Sequence, residues 1–99
     1  MRLADLEPTF VKHTSDESFT RLLGVSFADA SGVLFVCPTC KAEQSHSVLV
    51  WFRDRGVPDA MTPGPGRWVA SGTCLDDLTL QPSIAIRCWH GWIKNGEVT

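Results

Sequence analysis

Two cysteines a tight turn apart, in Cys37-Pro38-Thr39-Cys40, are answered near the other end of the chain by Cys88-Trp89-His90. A C-x-x-C turn folds both thiols to one side of a reversal and lets backbone N–H groups point at sulfur, and Pro38 fixes one φ angle of that turn. On an extended segment Cys88 and His90 share a face, because strand side chains alternate with period two. Two sulfurs from one stretch and a sulfur and an imidazole from the other make up the four N and S ligands that zinc takes in a tetrahedron. The spacing therefore predicts a zinc site of Cys37, Cys40, Cys88 and His90 that ties two distant stretches together. His46 stands close to the first pair and is the alternative ligand, in place of His90 or Cys88. Four side-chain ligands leave no open coordination position, which favours a structural site; exchanging one of them for water makes the same site catalytic in geometry.

The chain has 99 residues, 43% hydrophobic and 20% charged, as expected of one folded domain over 1–99 with a modest core. In so small a domain an ion that closes a long loop adds useful stability. The formal charge of −2 gives no general attraction to phosphate backbones or anionic lipid. No apolar run reaches the length of a membrane span, and Met1-Arg2-Leu3-Ala4-Asp5 lacks the apolar stretch of an export signal. The expectation is a cytoplasmic protein whose four cysteines stay reduced, so that the C-x-x-C pair serves metal chemistry. A thioredoxin-like redox pair is disfavoured, since no helix follows Cys40 to lower a thiol pKa.

The pattern of residues predicts a β-rich fold with a minor helical part. Thr9-Phe10-Val11 reads as a first or edge strand after Pro8. A short N-terminal helix is expected from Ser15, with Phe19, Leu22 and Leu23 at helical spacing and Gly24 as its end; a single turn is expected at 26–30. Val33-Leu34-Phe35-Val36 is a continuous apolar run leading into Cys37, and 46–52 is dense in β-formers, so the two make a zinc-ribbon-like hairpin around the C-x-x-C turn. The prolines and glycines of 53–67 make that stretch a loop, of the length that is either a binding loop or a tolerated insertion. Beyond it lie strands at 67–70, 78–80, 83–86 and 91–94, with 78–86 broken at Pro82, and Asn95-Gly96 turns the chain into Glu97-Val98-Thr99.

Other residues that could carry chemistry have plainer explanations. Asp76 and Asp77 form a carboxylate pair open to a general-base role, but adjacent aspartates before a strand are more often turn residues. Cys74 is most economically a small residue outside the site. Trp51, Trp68, Trp89 and Trp92 are a large aromatic content for this length, expected mostly in the core, with one or two free to make a protein-binding patch or a base-stacking platform.

The order Phe35-Val36-Cys37-Pro38-x-Cys40, His46-Ser47, Pro63-Gly64-Pro65-Gly66-Arg67-Trp68, Asp77-Leu78-Thr79-Leu80 and Trp89-His90-Gly91-Trp92-Ile93-x-Asn95-Gly96 resembles a family of small uncharacterised zinc-binding proteins of tailed phages and prophages. The likeness runs from about Ser26 onward. It implies metal binding, a compact β-rich fold and a phage origin, and it supplies no activity. It sets a glycine against Cys74, and its late cysteine stands three residues before the histidine, where Cys88 here stands two before His90.

The function expected from these features is that of a phage-type accessory protein in the cytoplasm of a bacterial host, built on a structural zinc site and acting by binding a protein of the host or the virion. Two rivals remain. One is a zinc hydrolase with an open site of His46, His90 and a cysteine and with Asp76 or Asp77 as base. The other is a nucleic-acid-binding ribbon that uses Arg53, Arg55 and Arg67 with Trp68 for stacking, which the overall charge does not favour.

Overall fold

A computed structural model describes residues 1–13, 21–40, 46–58, 66–86 and 88–99. These residues form strands β1 (Thr9–His13), β2 (Arg21–Leu23), β3 (Gly32–Val36), β4 (Ser47–Trp51), β5 (Val69–Ser71), β6 (Thr79–Ile86), β7 (Trp89–Lys94) and β8 (Glu97–Val98). They make two four-stranded antiparallel sheets, in the orders β2-β1-β3-β4 and β5-β6-β7-β8. The β-rich architecture expected from the sequence is present.

The unbroken apolar run of β3 has a clear cause: its sheet is covered on both faces. Val33 and Phe35 point into the main core with Phe10, Val48, Val50 and Phe52, while Leu34 packs on the other face against Val11 and Trp51. The second sheet contributes Leu80, Ile84, Trp89, Ile93 and Val98 to the same main core, and the 3-10 turn Leu3–Leu6 closes it with Leu3 and Leu6. On β7 the alternation is regular, with Trp89, Gly91 and Ile93 buried and His90, Trp92 and Lys94 exposed. That strand is half-solvated, as an antiparallel sheet allows.

The Asn95-Gly96 turn forms between Lys94 and its partner Glu97, with positive φ at both central residues (48° and 76°). This is the left-handed pair that a two-residue hairpin loop requires.

Three expectations are corrected. The expected N-terminal helix falls partly on residues 14–20, outside the described residues, but its last part, Arg21–Leu23, is strand β2, hydrogen-bonded to β1. Edge pairing to β1 overrides a weak helical spacing. The expected break at Pro82 does not occur: β6 runs through it, and the pairing with β7 shifts register between Leu80 and Ile84, so the residue that cannot donate to the ladder sits at an irregularity. The strand expected from Arg67 starts at Val69, preceded by a parallel bridge between Phe52 and Trp68 that joins the ends of the two sheets. The single turn near Ser26 is present as a 3-10 turn at Phe27–Asp29. Of the 53–67 loop, residues 59–65 lie outside the described residues.

Arg55 holds that turn in place. Its guanidinium donates to the carbonyls of Phe27 (2.9 Å) and Ala30 (2.7 Å) and lies 4.8 Å from the centre of the Phe27 ring. Charge-assisted hydrogen bonds and a cation–π contact of this kind together contribute roughly 2 kcal/mol or more. Arg55→Leu is therefore expected to destabilise the fold by about 2 kcal/mol, read as a lower urea midpoint with an unchanged m-value. A midpoint equal to that of the wild type would contradict the assigned role.

Candidate metal centre

The β3–β4 hairpin sets the first part of the site by register alone. Val36 pairs with Ser47, and the next rung is completed by the Cys37 N–H donating to the His46 carbonyl at 2.8 Å. His46 therefore stands directly across the ladder from Cys37, and the C-x-x-C turn brings Cys40 to the same end. From the other sheet, Ile86 pairs with Trp89, and Cys88 stands in the turn just before β7. Phe35 and Trp89, each close in sequence to a ligand, meet edge to face at 6.2 Å just inside the site, so the two hairpins pack against each other beneath it.

The ligand atoms of Cys37, Cys40, His46 and Cys88 all lie within 4.8 Å of one another. Cys37 Sγ is 3.4 Å from Cys88 Sγ, and His46 Nε2 is 3.1 Å from Cys88 Sγ. A tetrahedron with metal–sulfur bonds of ~2.3 Å has edges of ~3.8 Å, within the spread of these four atoms. The donors fit the ion chemically as well. His46 Nδ1 faces the Ser47 carbonyl at 3.4 Å, and giving its proton there leaves Nε2 with its lone pair toward the site. Burial pushes the Cys37 thiol up, but the Thr39 hydroxyl, the N–H groups of Thr39 and Cys40 and the Cys88 thiol outweigh it and bring it down to about 6. Cys88 moves the other way, to about 11, because it shares protons with Cys40 and Cys37 and is partly desolvated. One thiolate among close thiols makes the next harder to form, and a divalent cation between them removes that penalty. The four side chains thus lie close enough to hold a metal ion.

His90, expected as a ligand, lies elsewhere. It pairs with Ala85 on the exposed face of β7, with Nε2 3.1 Å from Ser83 Oγ. The period-two argument that placed it beside Cys88 applies only within a strand, and Cys88 belongs to the turn before β7. His46 is the imidazole brought to the three sulfurs. Its place beside the expected second strand of the hairpin was the hint in the sequence, and the β3–β4 register is what sets it opposite Cys37.

The other candidates have structural occupations. Asp77 accepts hydrogen bonds from the N–H groups of Thr73 and Cys74 (2.8 Å each) and from the Thr73 hydroxyl (2.8 Å), and these hold its carboxyl down at about 2. Its folded pKa lies below the usual 3.8, so the stability it contributes is present above pH ~4 and disappears as pH falls toward 2. Asp77→Asn should therefore unfold at lower urea than the wild type at pH 6, with the gap shrinking by pH 2.5; a gap independent of pH would refute this. Asp76 accepts from Arg2 through its carbonyl. Cys74 is exposed and caps the same 3-10 turn. Arg55 is engaged as described, and Arg67 donates to the Gly66 and Pro58 carbonyls. Trp51 and Trp89 are buried, Trp68 is half-buried with its indole N–H toward the Ser83 carbonyl, and Trp92 is exposed. No helix among the described residues is long and apolar enough to cross a membrane.

Fold and site together define a small two-sheet β-protein with a candidate Cys3His metal centre at the junction of two hairpins. Comparison with models of known protein families, with curated proteins and with solved structures found no match.

Proposed function

We propose that this protein is a small phage-type accessory module that works by binding a protein partner, with a structural zinc ion held by Cys37, Cys40, His46 and Cys88. The observation that carries the zinc reading is the convergence of those four ligand atoms, three from the β3–β4 hairpin and one from the β6–β7 turn, within 4.8 Å. Three thiolates and one imidazole suit zinc among the common metals, and four protein ligands leave no position for a reacting water. The hydrolase alternative has less support, because Asp77 is committed to its turn and His90 to Ser83. The phage assignment is supported by the C-P-x-C and W-H-G-W-I-x-N-G motifs of the resemblance. Binding a partner is supported by the outer face of the second sheet, where Trp92 and Val69 are 42% and 45% exposed.

Metal analysis of the purified protein tests the zinc reading, with one zinc per chain expected. Cobalt substitution is expected to give a four-coordinate, sulfur-rich spectrum without exchangeable water. A spectrum with an exchangeable water would overturn the structural reading in favour of an open site. For the partner, host or virion proteins retained by the immobilised wild type but not by Trp92→Ser support the reading, and equal retention by both removes the second-sheet face from it.

A further inference from the structure

The thiols of the centre are not equivalent. Cys37 Sγ and Cys88 Sγ are 3.4 Å apart, and Thr39, inside the C-x-x-C turn, donates its hydroxyl to the Cys88 carbonyl at 2.7 Å. The turn that carries Cys37 is therefore held against the turn that carries Cys88 by a bond that needs no ion, above the Phe35–Trp89 contact. A disulfide brings its sulfurs to ~2.05 Å, so closing the pair takes a movement of ~1.4 Å, within the range of side-chain rotation. Exposure differs as well: Cys37 is buried, whereas Cys88 is half-buried in its turn.

From this placement we propose that Cys37 and Cys88 are an oxidation site, which a peroxide converts to a disulfide that expels the zinc and takes over its task of joining the two hairpins. The release of zinc rests on the structural-zinc reading above; the cross-link does not. Cys88 is the more accessible sulfur and reacts first. Its thiolate, present when the ion is bound and formed without the ion by passing the proton to His46 Nε2 3.1 Å away, attacks one peroxide oxygen, the O–O bond breaks, and the departing hydroxide takes a proton to become water, leaving a sulfenic acid on Cys88. The Cys37 thiolate then attacks Cys88 Sγ, the S–S bond forms, the S–O bond breaks, and the second hydroxide leaves as water. Two thiolates together lose two electrons, hydrogen peroxide is reduced to two waters, and two protons are consumed. An ion left with Cys40 and His46 has lost half its protein ligands and dissociates.

The choice of pair matters for the fold. A bond between Cys37 and Cys40 would lie within one turn and leave the second hairpin untied. The bond between Cys37 and Cys88 closes the same long loop that the ion closes. The oxidised protein is thus metal-free and covalently joined at this point, whereas the reduced metal-free protein has only the Thr39 hydrogen bond and the Phe35–Trp89 packing there.

The test treats zinc-loaded protein with hydrogen peroxide, both as wild type and as Cys74→Ser, which removes the exposed thiol outside the centre. Released zinc is followed with a chromogenic chelator, and the product is digested with trypsin without reduction. Cleavage after Arg21, Lys41, Arg87 and Lys94 leaves Cys37 and Cys40 on peptide 22–41 and Cys88 on peptide 88–94. The expected product is 22–41 joined to 88–94 with the bond on Cys37, zinc released in step with the cross-link, and both reversed by dithiothreitol. The oxidised metal-free protein should also melt at a higher temperature than the reduced metal-free protein. A bond within 22–41, a bond from Cys40 to Cys88, or sulfinic acid without a cross-link would each overturn the proposal. Protein that never carries zinc overturns the zinc reading instead, and the same digest after peroxide still reports the cross-link.

Discussion

Cys88→Ser should lower the affinity for zinc by ~10²- to 10³-fold, more than any substitution outside the four ligands. Apparent binding free energies of ~10–16 kcal/mol for structural zinc, spread over four ligands, put roughly 2.5–4 kcal/mol on each, and each ~1.4 kcal/mol is about tenfold. A serine hydroxyl stays protonated near pH 7 and makes a poor replacement for thiolate. Cys88 is also the one ligand contributed by the second sheet, so its loss leaves any bound ion attached to the β3–β4 hairpin alone. Competition with a chelator of known affinity measures the change. The comparison that gives the test its force is His46→Ala against His90→Ala. With His46 Nε2 3.1 Å from Cys88 Sγ and His90 on Ser83, only the first should weaken zinc binding. The reverse order would return His90 to the ligand set and remove His46 from it.

Phe35→Ala is expected to cost about 3–5 kcal/mol of folding stability, the range for deleting a fully buried phenylalanine. In a domain of this size that is a large share of a total of about 5–15 kcal/mol. Phe35 is 1% exposed and meets Trp89 edge to face, so the cavity opens where the two hairpins touch and directly beneath the metal ligands. Two consequences follow, one at the thermal midpoint and one at the metal. The melting temperature falls in the metal-free protein, and zinc restores part of the loss, because a ligand that binds only the folded chain shifts the equilibrium toward it. Calorimetry with and without zinc reads both. A metal-free melting temperature within a degree or two of the wild type would show that the hairpin junction is not the stabilising contact it is taken to be.

Much of this architecture could be read from local chemistry. Val33-Leu34-Phe35-Val36 could only be a buried strand or a piece of buried helix, and its shortness and β-branching decided for strand. Asn95-Gly96 announced its hairpin because both positions need positive φ, which asparagine and glycine tolerate. Pro82 misled, because proline denies one ladder hydrogen bond but a register shift can absorb that loss. Leu22 and Leu23 misled as well, since a helical spacing over so few residues is outweighed by pairing with a neighbouring strand. The role of Asp77 was visible only as a turn preference; its three donors come from Thr73 and Cys74 in one local loop.

For the centre itself, the residue order alone determined that Cys37 and Cys40 act together, because a C-x-x-C turn has few ways to place its sulfurs. It also marked Cys88 as a partner from far along the chain. What only the tertiary structure decided is which imidazole stands with the three sulfurs. Alternation along a strand joined Cys88 to His90, but Cys88 lies in the turn before β7, where that alternation does not hold, so His90 faces solvent beside Ser83. The antiparallel register of β3 with β4 brings His46 opposite Cys37 instead. Ligand identity depends on which backbone rungs face each other across a hairpin, a nonlocal quantity that spacing along a single strand does not contain.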